Sequence, residues 1–252
     1  MLGLLWPPIA RGSYIAMLLS IWLKNAIHIH YMTQQNDTIK EMFEAGVHYG
    51  TLRASRNPSV KKYVYGTKGT VDIINVEVTA KQIEDAKAFI ADLKSAGKVI
   101  LFATSKSEVL DLLRDSAIRF NSPYIAGRWV GGLFTNFEII RKRINRMIDL
   151  GSMKEKGELK KYTKKEQSLM DKEAERLAKL FSGVKELTSL PAALLVVDPK
   201  KEFIAVEEAR NLGIPVIAIA NTDCKISTIQ YPIVANDSSR SSVDYILHQL
   251  LG

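Results

Sequence analysis

Cysteine is nearly missing from this sequence, with Cys224 the only one. No internal disulfide can form, which fits a reducing compartment. Histidine is almost as scarce. His28, His30, His48 and His248 are the full set. With Cys224 they give no metal-ligand spacing, so neither a metal site nor a cofactor is expected. There is no Gly-x-Gly-x-x-Gly at a strand-to-helix turn, no P-loop ending in Gly-Lys-Ser/Thr and no Gly-x-Ser-x-Gly elbow, so no catalytic residue is assigned. The apolar run from Tyr14 to Leu23 is too short for a membrane span. Acids are in deficit: 27 Asp and Glu face 35 Lys and Arg, for a formal net charge of +8. That balance makes a polyanion the first partner to test.

What is present is the composition of an ordinary globular protein, 46% hydrophobic and 25% charged over 252 residues. This is enough for one large α/β domain or two smaller ones. The N-terminus stands apart. Residues 1–31 hold the short apolar run and Trp6-Pro7-Pro8, and a polar segment follows Met32. They are read as a non-native or unstructured extension, with Met32 as the native start. The rival reading is a weak membrane anchor or a signal sequence.

From Ile39 the elements follow in order. A short helix ends at Gly46, and Val47 begins an extended segment. Tyr63-Val64-Tyr65 and Val71 to Ile74, flanking Gly66-Thr67-Lys68-Gly69, predict a hairpin. The pattern then alternates. Thr79 can cap a helix through Leu93. Val99 to Ala103 is a strand buried on both faces. Ser105 and Glu108 have capping-box spacing for a helix through Ala117, and Pro123 to Ile125 is a short strand. After an interruption the alternation resumes. Ala193 to Val197, Pro215 to Ala220 and Tyr231 to Ile233 are strands, with helices at Ile204 to Leu212 and Val243 to Leu251. Strands joined by helices imply a doubly wound parallel sheet with right-handed crossovers.

The interruption has its own period. Phe137, Ile140, Ile144 and Met147 step by 3 and 4, and so do Met170, Ala174, Leu177, Phe181 and Val184. Thr163 and Glu166 form a capping box for the second arm. This spacing predicts an antiparallel coiled-coil hairpin, residues 137–185, inserted in an α/β domain made of residues 32–136 and 186–252. From Glu138 to Lys185 there are fourteen Lys and Arg against eight Asp and Glu. Several of these lysines cluster at the hairpin tip. A second basic cluster runs from Arg53 to Lys68. A run of charge alone is commonly a solvated face, but two clusters suit the backbone of a folded RNA.

At the seam lies Gly127-Arg128-Trp129-Val130-Gly131-Gly132, continuing to Asn136-Phe137. Trp129 is read as packing against the sheet rather than stacking on a base. Gly131 and Gly132 are read as shaping the junction, and Thr135 and Asn136 as helix N-cap types. Asp198 and Asp223 follow buried strands, where α/β enzymes place ligands. They leave open an enzyme or regulator that binds a nucleotide or sugar phosphate, although helix capping accounts for them equally. A module whose hairpin grips a partner helix is a third class.

Several segments resemble the bacterial ribosomal protein S-two family, in the family's order. They include Ala45-Gly46-Val47-His48-Tyr49-Gly50, Arg56-Asn57-Pro58, Arg128-Trp129-Val130-Gly131-Gly132 with Thr135-Asn136-Phe137, Leu190-Pro191-Ala192-Ala193-Leu194, Val197-Asp198-Pro199 and Leu212-Gly213-Ile214-Pro215. The resemblance runs from about residue 38 to the end. It implies a flavodoxin-like α/β domain with a protruding coiled-coil hairpin, no catalysis, and a place in the cytoplasmic ribosome without membrane association. It also implies binding to small-subunit ribosomal RNA, to neighbouring ribosomal proteins, and to the large first protein that captures messenger RNA. The RNA contacts then expected are Arg53, Arg56, Lys61, Lys62, Lys68, Arg128, Lys160, Lys161, Lys164 and Lys165. The chain departs from the family at Thr51, where a histidine is common, and in the loop Asn221-Thr222-Asp223, commonly Asp-Thr-Asn. It also departs at Ala235, where a glycine is frequent.

Overall fold

Three apolar runs set the centre of the molecule, because each is buried along its whole length: Ile100–Thr104, Ala193–Val197 and Val216–Ala220. Strands covered on both faces carry no alternation. The computed structural model describes residues 37–252, apart from the side chain of Lys160. Residues 1–31, with the reading of them as an extension, lie outside the described residues. Apart from the first residues of helix α1, the features below fall within Met42–Gly252, one compact unit.

The described chain opens with helix α1 at residues 37–44. The N–H of Val47 then donates to Met42 O and that of Gly46 to Phe43 O, a glycine-closed helix end. Strand β1 is Tyr49–Leu52, β2 is Val64–Lys68 and β3 is Val71–Ile74. They form an antiparallel sheet in the order β1-β3-β2. The expected hairpin is present, but its turn lies later than the glycines suggested. Gly66 pairs with Ile73 inside the ladder, and the turn falls at Gly69, whose φ is +64°.

Helix α2 spans Val76–Ser95 and begins earlier than Thr79 implied. Asn75 is its N-cap, its Oδ1 accepting from the N–H of Glu77 at 3.1 Å. Thr79 lies inside the helix, where its buried hydroxyl donates to Val234 O at 2.7 Å. Both residues are cap types, and docking of the helix on a strand decided between them. Strand β4 is Ile100–Thr104, and helix α3, Leu110–Arg119, has no side-chain cap. The Ser105 and Glu108 spacing is therefore not a capping box: Ser105 precedes the helix by too many residues, and Glu108 takes a bond from Ser107.

After β5 (Tyr124–Ala126) come two long helices, α4 (Phe137–Glu155) and α5 (Lys164–Phe181). The capping box of Thr163 and Glu166 is present with both bonds made. The helices pack together, joined by Arg146–Glu173 at 3.3 Å and Lys154–Asp171 at 2.8 Å. Ile140, Ile144, Leu177, Phe181 and Val184 are buried in the core cluster, with Phe137, Met147, Met170 and Ala174 packed against it. Arg141 ties the base of the pair to the following loop, its Nη1 donating to Lys185 O and Leu187 O at 2.9 Å each.

Strand β6 (Ala193–Val197), helix α6 (Phe203–Asn211), β7 (Val216–Ala220), β8 (Tyr231–Val234) and α7 (Arg240–Leu251) complete the fold. The second sheet runs β5-β4-β6-β7-β8, every neighbouring pair parallel. Counting its strands from β4, this is the flavodoxin-like order 2-1-3-4-5. The order reverses between β4 and β6, and the crevice such folds use for ligands lies at the carboxyl ends of those two strands.

Candidate nucleic-acid interface

From Tyr49 to Val71 the chain carries Arg53, Arg56, Lys61, Lys62 and Lys68 and not one Asp or Glu. Local structure holds most of these cations outward. Arg53 opens a 3-10 turn, Arg53–Ser55, and its N–H donates to Thr70 O at 2.9 Å. A second such turn, Pro58–Tyr63, starts from Asn57, whose Oδ1 accepts from Ser59 N at 3.0 Å, with Pro58 at the position where a missing N–H costs nothing. Arg53, Lys61, Lys62 and Lys68 are exposed. Arg56 differs: half-buried, it lies 3.5 Å from a carboxylate oxygen of the fully buried Asp72. Part of its charge is offset inside the fold, where it helps to anchor the loop.

The basic loop is fastened to the segment after β7. Asn57 N donates to Thr222 O at 2.9 Å, and Ile226 N donates to Ser59 Oγ at 3.2 Å. The Thr51 and Thr222 hydroxyls meet at 2.7 Å, and Thr51 N donates to Thr222 Oγ1 at 2.9 Å. Thr51 and Asn221 stand where the resemblance led one to expect histidine and aspartate. Here they close on their own surroundings, Asn221 Nδ2 donating to Asp237 at 2.9 Å. The approach is close enough to require Gly50. A Cβ there would lie 2.8 Å from Thr222 Cγ2 and 2.9 Å from the Asp72 carbonyl oxygen.

The seam after β5 is organised by a residue that sequence reasoning passed over. Glu208, on α6, is 7% exposed. Its Oε1 accepts from Gly132 N at 2.7 Å and from Trp129 Nε1 at 3.3 Å. Its Oε2 accepts from Phe134 N at 2.9 Å and Thr135 N at 3.2 Å. Burial by itself raises the Glu208 pKa, but these N–H donors outweigh it and hold the carboxyl below its usual range. Trp129 is buried, edge-on to Phe134 with ring centroids 5.1 Å apart, so its ring faces protein. Arg128 beside it is exposed. Asn136 is the N-cap of α4 but makes no side-chain cap bond; the tethered loop starts this helix instead. Gly132 has φ +87° with Asn136 Cβ 3.4 Å from where its own would be, whereas a Cβ on Gly131 meets nothing within 4 Å. Gly132→Val is therefore expected to lose about 1–3 kcal/mol of stability in urea unfolding. Gly131→Ala is expected to stay within about 0.5 kcal/mol of the parent.

On the helical pair, Lys161, Lys164 and Lys165 are exposed around the turn. The Lys160 side chain lies outside the described residues. Lys154 is paired with Asp171, whose hydrogen bond and charge raise its pKa.

At the flavodoxin-like crevice the chain's own charged groups pair with one another. Lys106, just after β4, is buried there with its Nζ 3.0 Å from Asp237, 3.6 Å from Asp198 and 2.9 Å from Ser238 Oγ. Asp198, at φ +64°, also accepts from the N–H groups of Lys200 and Lys201 at 3.2 Å each. Asp223 is held by Lys200 at 2.7 Å. Both strand-end acids are thus engaged by this chain's own cations and backbone. Burial, then the nearby charges of Asp223, Asp198 and Asp237, push the Cys224 thiol up to about 12, so it stays protonated and inert. Among the described residues no group of acids, histidines and cysteine is placed to hold a metal, and no helix is long and apolar enough to cross a membrane.

The fold and these sites define a flavodoxin-like α/β protein whose strand-end acids are engaged by its own side chains and backbone and whose exposed cations stand on the loops after β1 and β5, on β2 and around the turn between α4 and α5. Comparison with known proteins makes this particular. The family model described as Ribosomal protein S2 matches residues 42–252, and the chain belongs to that family. It is 38% identical over 213 residues to the small ribosomal subunit protein uS2 of Coprothermobacter proteolyticus, covering 84% of this chain and 80% of that one. It is also 38% identical over 206 residues to the protein of the same name from Desulforapulum autotrophicum, covering 82% and 74%. The protein is accordingly a structural constituent of the small ribosomal subunit and not an enzyme.

Proposed function

We propose that the protein binds small-subunit ribosomal RNA through phosphate contacts from Arg53, Lys61, Lys62, Lys68, Arg128, Lys161, Lys164 and Lys165. Lys160 joins them on the strength of its place in the sequence. The observation that carries this reading is the acid-free stretch from Tyr49 to Val71, with four exposed cations that make no ion pair among the described residues. Arg56 supports the surface from beneath through Asp72. Residues 137–185 act as an antiparallel coiled coil reaching from a globular body of residues 32–136 and 186–252, in the cytoplasmic ribosome. Neighbouring small-subunit proteins, including the large first protein that captures messenger RNA, are assigned as partners on family resemblance alone.

Sedimentation of native extract through a sucrose gradient tests the reading. The protein is expected to travel with the small subunit at low salt and to leave it as salt rises, because phosphate contacts release counterions. A protein that remains at the top of the gradient at low salt would defeat it.

A further inference from the structure

We infer that Tyr65 is a stacking platform for an unpaired base of the RNA this surface holds, an inference that rests on the ribosomal-RNA reading above. Tyr65 is 82% exposed, while the next most exposed large hydrophobic side chains among the described residues reach 59%. It is not at a frayed end. It sits in β2, at the edge of the antiparallel sheet, where the pairing register shifts between Val64 and Gly66. A bulge of this kind re-aims a side chain and is a recurrent feature of binding edges. The strand around it is anchored, with Val64 paired to Ile74 and the Thr67 hydroxyl donating to the buried Asp72 at 3.1 Å. A rigid backbone therefore presents a flat ring to solvent.

The charge around that ring selects the partner. Lys61 and Lys62 precede it, Lys68 follows it on the same strand, and all three are exposed. The nearest acid in sequence, Asp72, is fully buried and paired with Arg56. A protein partner would have to bring a matching acidic surface, whereas RNA brings phosphates for the lysines and a π-face for the ring together. Stacking of a base on an aromatic side chain between cationic contacts is a general mode of binding unpaired nucleotides. Tyr63, two residues earlier, is half-buried with Lys62 Nζ 4.8 Å from its ring centroid, which leaves Tyr65 as the free ring of the pair.

The test uses full-length protein and small subunits stripped of it by a high-salt wash, with Kd measured across a salt series. Tyr65→Ala is expected to bind about 10-fold more weakly, about 1.4 kcal/mol, with an unchanged salt slope. Tyr65→Phe and Tyr65→Trp are expected within about threefold of the parent, and Tyr65→Leu to behave like Ala, because an apolar side chain without a ring does not stack. A paired Lys61→Ala, Lys62→Ala variant is expected to lower the salt slope instead. Folding is checked by thermal unfolding, which a side chain this exposed should leave unchanged. A photoreactive benzoyl-phenylalanine at position 65 is expected to crosslink to ribosomal RNA. Parent-like binding of the Ala variant, or a crosslink to protein, would overturn the inference while leaving the ribosomal reading intact. Parent protein that fails to bind stripped subunits at low salt would remove both.

Discussion

Lys106→Met is expected to destabilise the protein by about 3–5 kcal/mol in urea unfolding at neutral pH, the range for removing one member of a buried ion network. Lys106 is the cation between Asp198 and Asp237, at 3.6 and 3.0 Å, and the three side chains are each at most 10% exposed. Methionine fills a similar volume but leaves two carboxylates buried near each other. Neither keeps a cation: Asp198 retains the N–H groups of Lys200 and Lys201 and the Cys224 thiol, and Asp237 retains Asn221 and Ser238. Adding Asp237→Asn to the Met variant removes one of the stranded charges and should recover at least half of the loss. A single variant within 1 kcal/mol of the parent would show that water or rearrangement satisfies the acids and that Lys106 is not what holds them. Glu202 lies beside the network, 2% exposed. Its burial, reinforced by the charge of Asp198, raises its pKa despite hydrogen bonds from Ser105.

The second large effect is expected at Glu208. Its replacement by alanine leaves the N–H groups of Gly132, Phe134 and Thr135 and the indole N–H of Trp129 without their acceptor. The cost is about 2–4 kcal/mol, since bonds to a charged acceptor are lost and partly buried donors are left unpaired. Glu208→Gln should recover only part of it, because an amide offers one accepting oxygen where two now serve. The pH dependence separates charge from shape. The folded-state pKa of Glu208 lies below its unfolded value, so its contribution is fully present above the unfolded pKa. It is lost as pH falls through the lower, folded one. The stability gap between parent and Glu208→Gln should therefore be constant from about pH 6 to 8 and narrow below the ordinary carboxylate range. A gap independent of pH down to the acid transition would mean that the carboxylate charge is not what holds the loop. Because the same loop presents Arg128, the Ala variant should also bind small subunits more weakly.

Glu208 shows why part of the site was illegible. It lies 79 positions from Trp129, on a helix where the pair Glu207-Glu208 reads as solvated surface. The glycines and the Arg-Trp pair marked the loop as special, but nothing local named the acceptor for its N–H groups. Lys106 was hidden in the same way, being one lysine of many until β4 and β6 lie side by side. The sequence marks Arg56 as a candidate RNA contact, and its buried partner Asp72 is visible only in three dimensions. Tyr65 was seen as a strand residue, and its exposure depends on which register the β2–β3 ladder adopts.

By itself the sequence determined whatever depends on neighbours within a few residues. The runs Val99 to Ala103, Ala193 to Val197 and Pro215 to Ala220 announced buried parallel strands because such strands are apolar along their length, and the strands lie within a residue of them at Ile100–Thr104, Ala193–Val197 and Val216–Ala220. Thr163 and Glu166 announced a helix start because both partners of the box lie within one turn. The ordered motifs carried the family. Tertiary structure alone decided the choice of Asn75 over Thr79 as a cap, the pairing of Lys106 with two distant acids and the tethering of the central loop by Glu208. Each of these is settled by a charge or a hydrogen bond that forms only after distant segments are packed. Burial then makes any unpaired alternative too costly to persist.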